Sequence, residues 1–172
     1  MPSAGPDRAK GDIVEIGLGL GSNIGDRPAN IARALASLEK RGALVVTAVS
    51  SIYRTAPWGY VDQEDFANAC ALARTALEPG ALLAEVKAVE ADMGRTEGLR
   101  WGPRLIDIDI LFFGAHAFHS PELMLPHKDL FNRAFVLVPL AEIAPDLRLG
   151  GRSVADAAAK AAGQGVEKWF RR

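Results

Sequence analysis

Cysteine is nearly absent. Cys70 stands alone, so no disulfide can close within the chain and the fold has to hold by packing, as in a reducing compartment. Long apolar runs are missing too: no stretch approaches the ~20 residues that cross a bilayer, and the opening MPSAGPDRAKGD carries no apolar signal core. The expected location is the cytoplasm, with no membrane partner. Nor is there an excess of charge. Against 20 Lys and Arg stand 21 Asp and Glu, which argues against a general nucleic-acid binder. No internal repeat or low-complexity tract interrupts the chain. What is left is an ordinary globular composition, 49% hydrophobic and 24% charged over 172 residues, enough for one core. The expected organisation is a loose tail over residues 1–11 and a single domain over 12–172.

Two nucleotide-binding signatures are missing as well. There is no Walker A string, and the glycine-rich opening Gly17-Leu18-Gly19-Leu20-Gly21-Ser22-Asn23-Ile24-Gly25 reads from Gly19 as G-x-G-x-x-x-G, one residue too long for the dinucleotide fingerprint. The chain also lacks the repeated parallel βαβ units of a Rossmann sheet. These glycines are instead expected to let neighbouring backbone or a ligand come close to the end of the first strand.

The elements that are present follow hydrophobic period and punctuation. Ile13 to Leu20 reads as a strand entering a Gly-Ser-Asn loop. Asp26 caps a helix with Pro28 in its first turn, Ile31, Leu35 and Leu38 on one face and Gly42 after its end. Leu44 to Tyr53 and Phe66 to Thr75 read as strands, with the segment from Arg54 to Tyr60 as a loop. A second helix opens at Pro79, keeps Leu82, Val86, Val89 and Met93 in helical period, and stops at Gly94. Leu105 to Phe113 is a fourth strand, Ala134 to Leu140 is read as a further short strand, and Val154 to Ala162 as a terminal helix. The order β-α-β-β-α-β predicts an α/β (α+β) fold: a ferredoxin-like, split βαβ antiparallel sheet with helices on one face. His116 and His119 fall in a turn and receive no role, and Trp169 is read as a packing residue.

In Leu105-Ile106-Asp107-Ile108-Asp109-Ile110-Leu111-Phe112, strand alternation puts Ile106, Ile108, Ile110 and Phe112 on the core face and Asp107 with Asp109 on the other. The two aspartate Cα atoms are then roughly 6.7 Å apart. Like charges at about 5 Å repel by on the order of 3 kcal/mol at an effective dielectric near 20, so a positive group should offset them. An oxygen-only pair suits a hard cation, and two carboxylates with the remaining positions left to water and phosphate suit Mg²⁺. A D-x-D alone would read as two solvated aspartates. Arg95, Arg100 and Arg104 lie close by in sequence, with Trp101, Gly98, Gly102 and Pro103 between them, and guanidinium groups beside a metal-binding pair suit phosphate oxygens. Arg100 itself is read as exposed.

Taken in order, Gly21-Ser22-Asn23, Tyr53-Arg54-Thr55, Phe66 with Asn68, Gly94-Arg95, Arg100-Trp101-Gly102-Pro103-Arg104, Asp107-x-Asp109, Pro126-His127 and Asn132-Arg133-Ala134-Phe135 closely resemble the 6-hydroxymethyl-7,8-dihydropterin pyrophosphokinase family of folate biosynthesis. The RWGPR-x-x-D-x-D string is the most specific part. The resemblance implies a monomer that binds ATP with two Mg²⁺ ions, then 6-hydroxymethyl-7,8-dihydropterin, and releases AMP and the pterin pyrophosphate. It implies Asp107 and Asp109 as metal ligands and Arg95 and Arg104 as catalytic phosphate clamps. It implies Phe66 and Phe135 stacking on the pterin, with Thr55, Ala56, Trp58 and Asn68 completing the substrate site, and Glu90, Trp101, His127 and Arg133 as nucleotide contacts. Phe66 stands where a tyrosine is common, Trp58 where a smaller aliphatic residue is common, and Lys128 where a tyrosine or proline is frequent. The segment from Arg95 to Trp101 is about one residue shorter than in the best-known members.

Phosphoryl-type transfer asks for alignment and charge stabilisation more than covalent chemistry, and these residues supply both. Two other readings compete. A D-x-D nucleotidyl- or glycosyl-transferase would release a different product, and a pterin- or nucleotide-binding module without catalysis would be expected to lack one of the acids or clamps. Phe66 and Phe135 would, without the resemblance, read as core aromatics.

Overall fold

The computed structural model describes residues 11–56, 64–94 and 105–169. In chain order these form β1 (Val14–Ser22), α1 (Arg27–Lys40), β2 (Val45–Val49), β3 (Tyr53–Thr55), β4 (Phe66–Thr75), α2 (Pro79–Asp92), β5 (Asp107–Phe113), β6 (Phe118–His119) and β7 (Met124–Leu125). A 3₁₀ turn at Leu130–Asn132 follows, then α3 (Ala134–Ile143), β8 (Arg148–Leu149), β9 (Arg152–Ser153), α4 (Val154–Ala161) and β10 (Glu167–Lys168). The main sheet runs β10-β3-β4-β1-β5, with β2 also on β4, and every pairing in it is antiparallel. This is the ferredoxin-like split βαβ arrangement, with β2 and β3 sharing the place of one strand. Among the described residues no helix is long and apolar enough to cross a membrane.

The first helix follows its sequence signals closely. Asp26 accepts the Ala29 N–H at 3.1 Å as N-cap, and Ile31, Ala34, Leu35 and Leu38 are buried. Gly42 after its end sits at φ +72°, a conformation open to glycine at little cost. Helices α1 and α2 pack on one face of the sheet, where Ile16, Leu18 and Leu20 of β1, the alanines of β4 and Ile108 and Ile110 of β5 complete the main core. The second face is half covered by the described residues. There α3 and α4 bury Cys70, Leu72, Leu111 and Phe112 in a second cluster, so helices lie on both faces rather than one.

Three further sequence expectations are corrected. Ala134–Ile143 is a helix, not a strand. Its sequence is apolar on nearly every side because it lies between sheet and α4, which erases the period that separates the two structures. Pro139 inside it has no N–H to offer the preceding turn. The single strand foreseen from Leu44 to Tyr53 is broken at Ser50, where the Ser50 hydroxyl accepts the Cys70 N–H at 2.9 Å and so takes a ladder position from the backbone. Finally, Phe112 leaves the core face predicted for it. A bulge between Gly17 and Leu18 on β1 opposes an extra residue on β5, and Leu111 and Phe112 both enter the second cluster.

That bulge explains the glycines of β1. A Cβ on Gly17 would overlap the Phe112 ring, lying 2.7 Å from its Cδ1, and one on Gly19 would touch Leu111 at 3.4 Å. Gly17→Ala is therefore expected to lower stability by about 1–3 kcal/mol through overpacking. Urea unfolding should show a lower midpoint at unchanged m-value, and Gly17→Ala combined with Phe112→Leu should recover part of the loss.

Candidate active site

The half of the second sheet face that no described element covers has a floor without side chains. Gly19 pairs with Asp109 on one side and Cys70 on the other, and Gly21 pairs with Asp107 and Asn68. Because alternate residues share a face, Asp107 and Asp109 rise along one side of this floor and Phe66 and Asn68 along the other. A Cβ on Gly21 would come 3.0 Å from Asn68 Oδ1 and 3.6 Å from Phe66 Cδ1. The floor is thus open because glycine leaves it so, as the sequence led one to expect.

The acidic wall is held from behind. Glu90, on α2 and only 2% exposed, accepts the Ile108 N–H at 3.0 Å from the α1/α2 side of the sheet, and Lys87 pairs with its other oxygen at 3.3 Å. Ile108 is the residue between the two aspartates. A carboxylate that anchors this backbone amide fixes the strand from which both acids project. Asp107 and Asp109 are themselves half-buried.

The helical side supplies cation and imidazole. Arg133 lies 3.6 Å from Asp109 and 3.5 Å from Asp129, and its guanidinium carbon sits 5.6 Å from the centre of the Phe135 ring. Exposed pairs of this kind are worth only about 0–1 kcal/mol, so Arg133 is positioned here rather than locked. His127 follows the cis Leu125–Pro126 bond, and its backbone N–H donates to Leu111 O at 2.8 Å. Its Nδ1 accepts the Asp129 N–H at 3.1 Å, which assigns the neutral ring proton to Nε2. Burial pushes this imidazole below its ordinary value, while Asp109 and Asp129 oppose the shift and Arg133 and Lys128 add to it. A neutral Nε2–H donor near the acids is the result.

Opposite them, Asn68 donates through Nδ2 to Thr55 Oγ1 at 2.5 Å, and both residues are buried. That bond orients the amide, leaving Oδ1 over Gly21 as an acceptor. Phe66 and Phe135 are half-buried and Ala56 is exposed. Tyr53, beside Asn68, donates to Glu142 of α3 at 2.7 Å, and burial with that bond pushes its phenol up to about 12. Burial also pushes the Cys70 thiol up, so the floor carries no reactive sulfur.

Of the residues singled out from sequence, the fold brings Asp107, Asp109, Thr55, Phe66, Asn68, His127, Arg133 and Phe135 to this one region. Glu90 approaches from the far side of the sheet. Trp58, Arg95, Trp101 and Arg104 lie outside the described residues. Sequence reasoning passed over Asp129, although its i,i+4 spacing to Arg133 was a readable sign of a pair. It also passed over Tyr53 with Glu142, whose separation in sequence gave no sign at all. Among the described residues no group of three or more His, Cys, Asp and Glu is arranged to hold a metal ion. Two half-buried carboxylates above a bare glycine floor do fit Mg²⁺, which keeps most of its ligands as water and phosphate.

The family described as 7,8-dihydro-6-hydroxymethylpterin-pyrophosphokinase (HPPK) matches residues 17–145. A Methylorubrum extorquens protein named 2-amino-4-hydroxy-6-hydroxymethyldihydropteridine pyrophosphokinase is 48% identical over 151 residues, covering 88% of this chain and 96% of that one. A Bacillus subtilis protein of the same name is 46% identical over 126 residues, covering 73% of this chain and 75% of that one. Among solved structures, wild-type Plasmodium falciparum HPPK-DHPS superposes with a TM-score of 0.70 at 15% identity, over 89% of this chain and 45% of that chain. This chain therefore spans under half of that longer protein, and the likeness to it is one of fold.

The imidazole offers a check on the geometry. In an NMR titration of the free protein, His127 should titrate below about 6.5, the ordinary histidine value. Asp109→Asn should move the midpoint lower still, and Arg133→Met should move it up. Because the folded value is depressed, His127 makes no demand on stability above the ordinary value and lowers it as pH falls from there towards the folded midpoint.

Proposed function

The chain belongs to the 7,8-dihydro-6-hydroxymethylpterin-pyrophosphokinase family, and from that premise we infer that its open sheet face transfers the pyrophosphoryl group of ATP to the hydroxymethyl oxygen of 6-hydroxymethyl-7,8-dihydropterin. The observation that carries this reading is the paired aspartates facing a buried hydrogen-bonding wall across a floor of glycine. In the reaction the hydroxymethyl oxygen bonds to the β-phosphorus, the bridge oxygen to the α-phosphorus leaves with AMP, and the hydroxyl proton is lost to solvent.

Each wall has its part. Phe66 and Phe135 give flat apolar surface to the pterin ring, and Asn68 Oδ1 accepts from a polar N–H on its edge, with Thr55 and Ala56 beside it. Trp58 is assigned to the same subsite on the family resemblance. Asp107 and Asp109 would hold the two Mg²⁺ ions that the family resemblance implies. Bound there, Mg²⁺ would neutralise phosphate charge and ease deprotonation of the hydroxymethyl group. Arg133 and the Nε2–H of His127 are donors for phosphate oxygens, and exchanging Asp109 for a phosphate suits an arginine held by weak pairs. Glu90, buried on the α1/α2 side of the sheet and away from the face that carries the acids, serves as a support that keeps the Ile108 amide, and hence both acids, in place. Arg95, Arg104 and Trp101 complete the nucleotide site on the resemblance, the two arginines opposing the charge that builds on the transferred group. A chain of near-zero net charge acting as a cytoplasmic monomer, without nucleic acid or membrane, suits two small substrates.

Incubation with ATP, Mg²⁺ and the pterin should give AMP and the pterin pyrophosphate, identified by mass. Formation of ADP or of a nucleotide-linked product would refute the reaction. Asp107→Ala and Asp109→Ala should each lower kcat by at least about 10²-fold with the melting temperature little changed, and near-normal turnover in either would remove the acids from the mechanism.

A further inference from the structure

Strand β3 is three residues long, yet it carries Thr55 and leads into Ala56. So short an edge strand would on its own leave a row of backbone groups unpaired. The C-terminal strand covers it: Lys168 pairs with Tyr53 and Glu167 with Arg54, and the Trp169 N–H donates to Ile52 O at 2.8 Å. The Trp169 indole then lies against two guanidinium groups, 4.4 Å from Arg54 and 4.5 Å from Arg27. Arg27 in turn donates through Nη1 to Asp65 O at 2.8 Å and pairs with Glu64 at 3.2 Å. Its Nε is buried with no hydrogen-bond partner among the described residues, so the indole face is what compensates that part of the cation.

One side chain is thereby tied to the residues before Ala56 and, through Arg27, to those just before Phe66. On the opposite face of the same two strands, Thr55 and Asn68 are hydrogen-bonded at 2.5 Å and Phe66 stands beside Thr55 in register. We propose that β10 and Trp169 form a strap that positions the Thr55–Phe66–Asn68 wall, so that more of the protein holds the arrangement that accepts the pterin. This rests on the pterin reading of that wall. The strap lies beyond residues 17–145, the part matched by the family.

The strap acts on one substrate only. Trp169→Ala should raise KM for the pterin about five- to tenfold, with KM for ATP and kcat within about twofold of wild type. Trp169→Phe, which keeps an aromatic face, should restore most of the pterin KM. Arg27→Met, which breaks the link to Asp65, should repeat the Trp169→Ala effect with the indole intact. Amide exchange followed by mass spectrometry should be faster over residues 52–56 in Trp169→Ala than in wild type. An unchanged pterin KM in both Trp169→Ala and Arg27→Met would overturn the proposal. So would a fall in kcat and a rise in both KM values that simply follow a lowered melting temperature, or unaltered exchange over 52–56. If wild type forms no AMP at all, the activity reading fails, while the exchange measurement still decides whether the strap exists.

Discussion

Strand β1 carries aliphatic side chains on one face and, along the stretch from Gly17 to Gly21, none on the other. Everything else in the site depends on this asymmetry. Ile16, Leu18 and Leu20 anchor the strand into the main core with almost no exposure, which suffices to hold it in the centre of the sheet. The bare face can then serve two purposes along its length. At Gly17 and Gly19 it admits Phe112 and Leu111 beneath α3, and at Gly21 it leaves space between acidic and amide walls. Glycine weakens an isolated strand, and the neighbours on both sides and the apolar face offset that weakness here.

Around this floor the charges are arranged in layers. The acids face outwards from β5, while the amide between them is held from inside by Glu90. Arg133 stands between Asp109 and Asp129 without a short bond to either, and burial keeps His127 neutral. Such a set can receive an anionic substrate with little rearrangement of the core, since only partly exposed side chains need to change partners. On the opposite wall, Tyr53 and Ser51 both donate to Glu142, which joins α3 to the strand that presents Thr55.

Much of this was legible from sequence, and the reasons differ by element. The α1 helix announces itself through a cap, a period and a stop, and the strand from Phe66 to Thr75 is bounded as expected. The shared face of Asp107 and Asp109 follows from alternation alone. Alternation failed three residues after Asp109, at Phe112, because a bulge is set by the partner strand and leaves no local mark. The α3 helix was hidden by burial on both sides, which removes the polar stripe that reveals an amphipathic helix. The Tyr53–Glu142 bond and the pairing of β10 with β3 join residues far apart in the chain, and only the folded topology brings them together. His127 was found through its neighbours in sequence, whereas its tautomer depends on the Asp129 amide and could be read only from the structure.

The extra residue in β5 has a wider implication. It works as a phase shifter: ahead of it the outward positions carry carboxylates, and the extra residue, Leu111, and Phe112 after it fall consecutively beneath α3. A single length of chain thus changes from open acidic surface to interior padding within a few residues. Straightening β5 would return the Phe112 ring to the other side and leave a void over Gly17, so the placing of the acids at one end and the seating of α3 at the other share a common count of residues.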